Sequence, residues 1–165
     1  ALFPFGDTRG KALGIAREDA ESGPLTLNLA LMELDGEGFS AKFDARCPVS
    51  SNEDNCKKAC EASLERHGMA VTADPDMTSV HCVPAGSKLV TTLMESYQTF
   101  SGDTQSKPLA IGGGTYVHDI PGGVAFGCVF PGFDPKMHAP DEQASVEQLL
   151  CACKIFAHAI LALCE

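Results

Sequence analysis

Basic side chains are scarce in this sequence. Its 165 residues carry 12 Lys and Arg against 22 Asp and Glu, a net charge of −10. A surface of that sign repels phosphate backbones and anionic headgroups, which argues against a nucleic-acid or membrane partner. A signal-peptide pattern is lacking too, and no run reads as long enough to span a bilayer. The most apolar stretch, residues 146–163, contains Lys154 and His158 and reads as a helix with one buried face. Cys-x-x-Cys is also missing, although there are eight cysteines, at positions 47, 56, 60, 82, 128, 151, 153 and 164. Without that spacing a zinc ribbon or a thioredoxin-type site has no support. The even count fits a disulfide-stapled secreted fold. Against that reading, 44% of the chain is hydrophobic, which is enough to build a core without staples. Free, mostly buried thiols and a cytoplasmic location are therefore expected. Neither a Ser-His-acid order, a nucleophile elbow nor a phosphate loop is present.

What is there divides in two near Pro84. Residues 1–24 are turn-rich. Residues 25–34 alternate, placing Leu25, Leu27, Leu29 and Leu31 on one face, and residues 39–46 alternate again around an Asp35-Gly36 turn. These segments predict an antiparallel hairpin. Ser50 with Glu53 predicts a capping box for a helix that runs to about His67 and stops at Gly68. Residues 69–73 predict a third strand. Beyond Pro84, residues 87–100 predict an amphipathic helix ended by Gly102. Residues 109–111 and 124–130 predict two short strands. Ser145 with Gln148 predicts the cap of a last helix burying Val146, Leu149, Leu150, Cys153, Phe156, Ala157 and Ile160. The expected class is α/β, locally α+β.

The segment from 110 to 142, AIGGGTYVHDIPGGVAFGCVFPGFDPKMHAPDE, concentrates the chemistry. A triple-glycine turn follows a short apolar run, a second apolar run follows, and a Pro-Gly turn leads to His138 among acids. Glycines let a backbone approach a ligand and present bare N–H groups. A neutral imidazole past a buried strand is a good metal donor. Taken alone, His138 reads as an exposed loop histidine among acids, and Arg46 as a solvated strand-end arginine or one paired with Asp44.

An IGGGT turn, a VAFG strand, a PG turn and an H-x-x-x-E end, in this order, resemble the final third of zinc dipeptidases of the aminoacylase, carnosinase and succinyl-diaminopimelate desuccinylase superfamily. The resemblance implies that residues 1–83 are the second half of a ferredoxin-like lid, and 84–165 the C-terminal portion of an α/β catalytic domain. It implies His138 as the last ligand of a two-zinc site, with Asp141 or Glu142 orienting its ring. Arg46 would grip the free C-terminal carboxylate of a short peptide, with Gly112, Gly113, Gly114 and Thr115 lining the same site. Cys47 stands where the family usually has an aromatic residue. The other zinc ligands and the general base are expected upstream of this segment, so no catalytic residue is assigned here. The isolated chain is expected to be inactive, with zinc absent or weakly bound. A deacylase or desuccinylase of the same superfamily is the alternative. Outside it stand a non-enzymatic interaction module, a cysteine-rich metal or redox protein, and a homodimer formed through unpaired lid strands.

Overall fold

Alternating side chains produce one long hairpin in the computed structural model, which describes residues 2–72, 77–127 and 129–164. A two-residue ladder comes first, β1 (Glu18–Asp19) against β2 (Gly23–Pro24). The hairpin proper pairs β3 (Thr26–Leu34) with β4 (Phe39–Arg46) in antiparallel register, Thr26 opposite Arg46 and Leu34 opposite Phe39. Asp35 closes its turn by accepting the N–H groups of Glu37 and Gly38 at 2.8 and 2.9 Å.

The register corrects one expectation. Leu29 pairs with Phe43 and Leu31 with Lys42, so Ala30 is a bulge. An extra residue flips every following side chain to the other face. Leu27, Leu29, Met32 and Leu34 therefore share the face of Ala45, Phe43, Ala41 and Phe39, while Leu31 turns to the side of Lys42 and is 61% exposed.

After β4 the chain enters a π-helical turn, Glu53–Lys57, that runs directly into α1 (Lys58–Glu65). The cap is reciprocal between Asn52 and Asn55, each side-chain oxygen accepting the other's backbone N–H at 2.8–2.9 Å. It replaces the expected Ser50–Glu53 box because an asparagine offers the same acceptor closer to the first turn. Residues 69–72 join no ladder, and Ala73 lies outside the described residues. The expected third strand is thus not formed among them.

The chain divides into two compact units. The first comprises Ala1–Cys82 with Leu109–Gly114. Its core gathers Leu2, Leu13 and Ile15 from the turn-rich start, Leu25 and Leu27 from the hairpin, and Cys56, Cys60 and Leu64 from the π turn and α1. Phe3 and Phe43 pack against that core with ring centroids 5.7 Å apart.

The second unit comprises Val83–Pro108 with Thr115–Glu165. Its helices are α2 (Lys88–Ser101) and α3 (Val146–Cys164). Ser87 caps α2 by accepting the Val90 N–H, and Gly102, at φ 72°, ends it in the left-handed conformation that glycine adopts without strain. Ser145 caps α3 by accepting the Gln148 N–H at 3.3 Å.

The buried face of α3 is not the expected one. Ala152, Ile155 and Ala159 are buried, whereas Val146, Leu149, Leu150, Cys153, Phe156, Ala157 and Ile160 are exposed or half-buried. Small residues let α3 lie close to α2. A helix that is apolar all round has no face marked by its sequence. By length and composition alone, the 19 residues of α3 at mean hydropathy 1.6 are long and apolar enough to cross a bilayer, contrary to the expectation that no segment is. The segments 109–111 and 124–130 run without a ladder among the described residues; Cys128 lies outside them. Two helices flanking a sheet is therefore corrected to two helices with irregular connections. A strand exists only beside another strand, and neither segment has one among the described residues. The architecture is mixed α/β: small antiparallel sheets plus three helices.

Candidate functional site

Arg46 is the last residue of β4, and its side chain reaches out of the hairpin onto the glycine turn. Nη1 donates to the Gly112 carbonyl at 2.9 Å, across 66 residues of sequence. Nε stands 3.6 Å from Asp44 Oδ1, on the same strand two residues earlier. Both side chains are more than half exposed, so this ion pair is screened and weak. A guanidinium has five N–H donors. With one directed at Gly112 and one facing Asp44, the Nη1–Nη2 edge has a donor on each nitrogen left for a carboxylate to accept in parallel.

The glycines are needed here for space. A Cβ on Gly112 would lie 2.9 Å from Arg46 Cβ and 3.3 Å from its Cδ, and a Cβ on Gly113 would lie 3.4 Å from Nη1. The stem of the arginine thus rests on bare backbone. At Gly114 a Cβ would meet nothing within 4 Å. Among the described residues the N–H groups of Gly112, Gly113 and Gly114 donate to nothing. What the turn gives Arg46 is a carbonyl acceptor, an anchor that sequence reasoning missed because it looked only for N–H donors.

Thr115 belongs to the second unit, where it opens a single 3-10 turn, Tyr116–Asp119. His118 Nδ1 lies 3.2 Å from the Thr115 nitrogen and 2.9 Å from its carbonyl oxygen, so this ring is folded into its own turn. His138 is exposed on the loop that follows residues 124–130. Its φ is +62°, and Lys136 and Asp141 are also left-handed, at +51° and +60°. Three such residues within six are uncommon outside glycine, and they store backbone strain. His138 makes no hydrogen bond to Asp141 or Glu142 among the described residues, nor is any group of three His, Cys, Asp or Glu there arranged to hold a metal.

The histidine contacts of α1 and α3 are structural. Ser96, fully buried, donates to the Thr92 carbonyl at 2.8 Å and accepts from His158 Nδ1 at 3.0 Å, which pins α3 to α2. Among the described residues no acid is bonded to His158, and Ser96 is closed off from solvent. His67 contacts the Ser63 carbonyl one turn back. A shallow depression of about 340 Å³ beside Met94, Gln98 and Lys107 is lined by no Asp, Glu, His or Cys.

No known family profile matches the chain. It is 35% identical over 162 residues to a Bacillus subtilis protein named "Putative dipeptidase YtjP", covering 97% of this chain and 34% of that one. It is 39% identical over 156 residues to a Staphylococcus epidermidis protein named "Putative dipeptidase", covering 94% and 33%. A Staphylococcus haemolyticus protein of the same description is 27% identical over 156 residues, with 94% and 33% covered. The chain thus spans about a third of the length of the curated relatives it matches.

Proposed function

We propose that this chain carries the carboxylate-reading part of a dipeptidase-type hydrolase that cleaves the amide bond of short peptides with a free C-terminus. The observation that carries this reading is the seating of Arg46 on Gly112, with an open guanidinium edge beside unbonded glycine N–H groups. The bond to the Gly112 carbonyl holds the long arginine side chain in place before a ligand arrives. Less rotamer entropy is then lost on binding. In a protein of net charge −10, such a fixed cation is needed to hold a peptide carboxylate against the general field. The names of the relatives point the same way, each being called a dipeptidase.

Zinc belongs to the proposal at one residue only. His138 is an exposed imidazole on a strained loop, fit to act as one donor. Tetrahedral zinc needs four donors, and the described residues supply no cluster of them. The metal therefore does not fit this chain alone, and no step is routed through it. The lid and catalytic-domain assignment of residues 1–83 and 84–165, Thr115 as a further substrate contact, and a cytoplasmic location complete the proposal.

Titration with a dipeptide and with its C-terminal amide, followed by NMR of the Gly112–Gly114 amides, tests the reading. The free acid should shift these amides and the amide form should not. Arg46→Ala should weaken binding of the acid by about thirtyfold to a hundredfold, since a charge-assisted bidentate contact contributes roughly 2–3 kcal/mol. Equal shifts with both ligands would exclude a carboxylate site.

A further inference from the structure

We propose that Cys47 and Cys56 form a redox site: a dithiol that a hydroperoxide converts to a disulfide joining the end of β4 to the turn that opens α1.

The two sulfurs lie 3.3 Å apart, closer than any other pair of described cysteines. Nine residues separate them in sequence, and the fold brings them together: Cys47 follows Arg46 out of the hairpin, and Cys56 sits in the π turn, buried in the core. Two polar groups around them point to a negative charge that is absent from the dithiol. Ser51 Oγ and Arg17 Nε are both buried and without a hydrogen-bond partner among the described residues. Arg17 is held beside the pair by its Nη2, which donates to the Asn55 carbonyl at 2.7 Å. Buried donors left unpaired are costly. A thiolate at this place would give them an acceptor, since Ser51 lies beside Cys47 and favours its ionised form, as the Arg17 charge does for both sulfurs.

The proton is shared unequally. A hydrogen bond from Cys47 draws the Cys56 thiol down to about 7, against burial and against the charge of Glu53, and the same bond pushes Cys47 up. Cys60, one turn further on, is pushed up to about 11 by burial and does not compete as a nucleophile. Cys82 is exposed, but its hydrogen bond to Glu21 also raises it. Cys56 is therefore the sulfur of the pair that ionises first. A more acidic thiolate is a weaker nucleophile, but only a fraction of the gain in ionisation is lost that way, so a net advantage remains.

The chemistry balances with the peroxide as oxidant. The Cys56 thiolate attacks one peroxide oxygen; an S–O bond forms, the O–O bond breaks, and the departing hydroxide takes a proton to become water. Cys47 then attacks the Cys56 sulfur; the S–S bond forms, the S–O bond breaks, and the hydroxyl leaves as water with the Cys47 proton. Two thiols lose two electrons and one peroxide becomes two waters. A dithiol reductant reverses the step by exchange.

The sequence supplies its own assay. Arg46 and Lys57 are tryptic sites, so residues 47–57 leave as one peptide containing both cysteines. The reduced full chain is treated with hydrogen peroxide at pH 7, alkylated at intervals and digested. The 47–57 peptide should appear unalkylated and lighter by two hydrogens, faster than Cys153 or Cys164 loses its thiol. Dithiothreitol should restore both labels. In Cys47→Ser, Cys56 should accumulate as a sulfenic acid that dimedone captures. The wild-type chain unfolded in urea needs no substitution, and there the preference should vanish. Retention of both labels while Cys153 and Cys164 oxidise would overturn the proposal. So would pairing of Cys56 with Cys60, or an equal preference in urea.

Discussion

In the first unit, side chains from the N-terminal loops, the hairpin and α1 close around one another, and Leu25 at their centre is wholly buried. In the second, α3 touches α2 through Ala152, Ile155 and Ala159 and leaves Leu150, Ile160 and Leu161 in solvent, Leu150 at 62% exposure. Both units have ample apolar residues; they differ in how many directions those residues are covered from. The first core is assembled from segments distant in sequence, so each leucine meets neighbours on several sides. The second is a two-helix contact, which can cover only one stripe of each helix. Apolar content is therefore a poor guide to which part of this molecule is stable, and the number of enclosing elements is a better one.

The sharpest way to break that comparison is a matched pair of truncations. Leu25→Ala should cost the first unit about 2–5 kcal/mol, the usual range for emptying a fully enclosed leucine site. Leu150→Ala should change stability by less than about 0.5 kcal/mol, as for a surface site. Urea unfolding followed by hydrogen exchange in each unit measures both. Comparable losses would show that the α3 stripe is enclosed in solution, and the contrast would fall.

The next effect is smaller and lies within three consecutive glycines. Gly112→Val places a branched Cβ on the stem of Arg46, where the nearest atom is the arginine's own Cβ and cannot swing away. Overpacking of this kind costs about 1–3 kcal/mol and should displace the guanidinium from the Gly112 carbonyl, weakening binding of a free-acid dipeptide. Gly114→Ala meets open space at a φ that any residue adopts, and should be neutral in stability. If both substitutions were neutral, the contact with Arg46 would not be what requires glycine.

Much of this was legible in the sequence, and the misses share a cause. Gly102 and Ser145 announced helix ends because a cap is a local contact, complete within three or four residues. The hairpin was readable from its alternation. The bulge at Ala30 was not, since one extra residue leaves the composition of the strand unchanged and alters only its phase. Residues 124–130 have the composition of a buried strand, but whether they are one depends on a neighbour that composition does not name. For α3 the apolar pattern fits several faces, and packing against α2 selected the small residues. At the candidate site, Arg46 and the glycine turn were readable as separate features. Their contact, and the 3.3 Å approach of Cys47 to Cys56, depend on pairings that only the fold makes.

The smallest expected effect compares the units through acid. Each has one carboxylate held far down by its neighbours: Asp19 accepts from Ser22 and Ser50 in the first, and Asp103 from Tyr97, Gln105 and Ser106 in the second. These hydrogen bonds, from Ser22 foremost for Asp19 and from Ser106 foremost for Asp103, hold both carboxyls far below the ordinary 3.8. A group whose folded value is depressed adds stability that is fully present above its unfolded value and is lost as pH falls toward the folded one. Stability from these two groups should therefore be flat from neutrality down to about pH 5 and decline below about pH 4. Carboxyl-carbon NMR should show neither residue titrating until the acid limb of unfolding. Both sit near the surface, so the loss should be modest, and it should be similar in the two units because each carboxylate draws on neighbours in its own turn. Asp19→Asn should reduce the acid limb of the first unit alone, where Asp7 and Asp54 are also depressed and keep the rest, and Asp103→Asn that of the second. If either substitution reduced both limbs, the units would unfold as one cooperative body, and the contrast in their cores would no longer predict which is lost first.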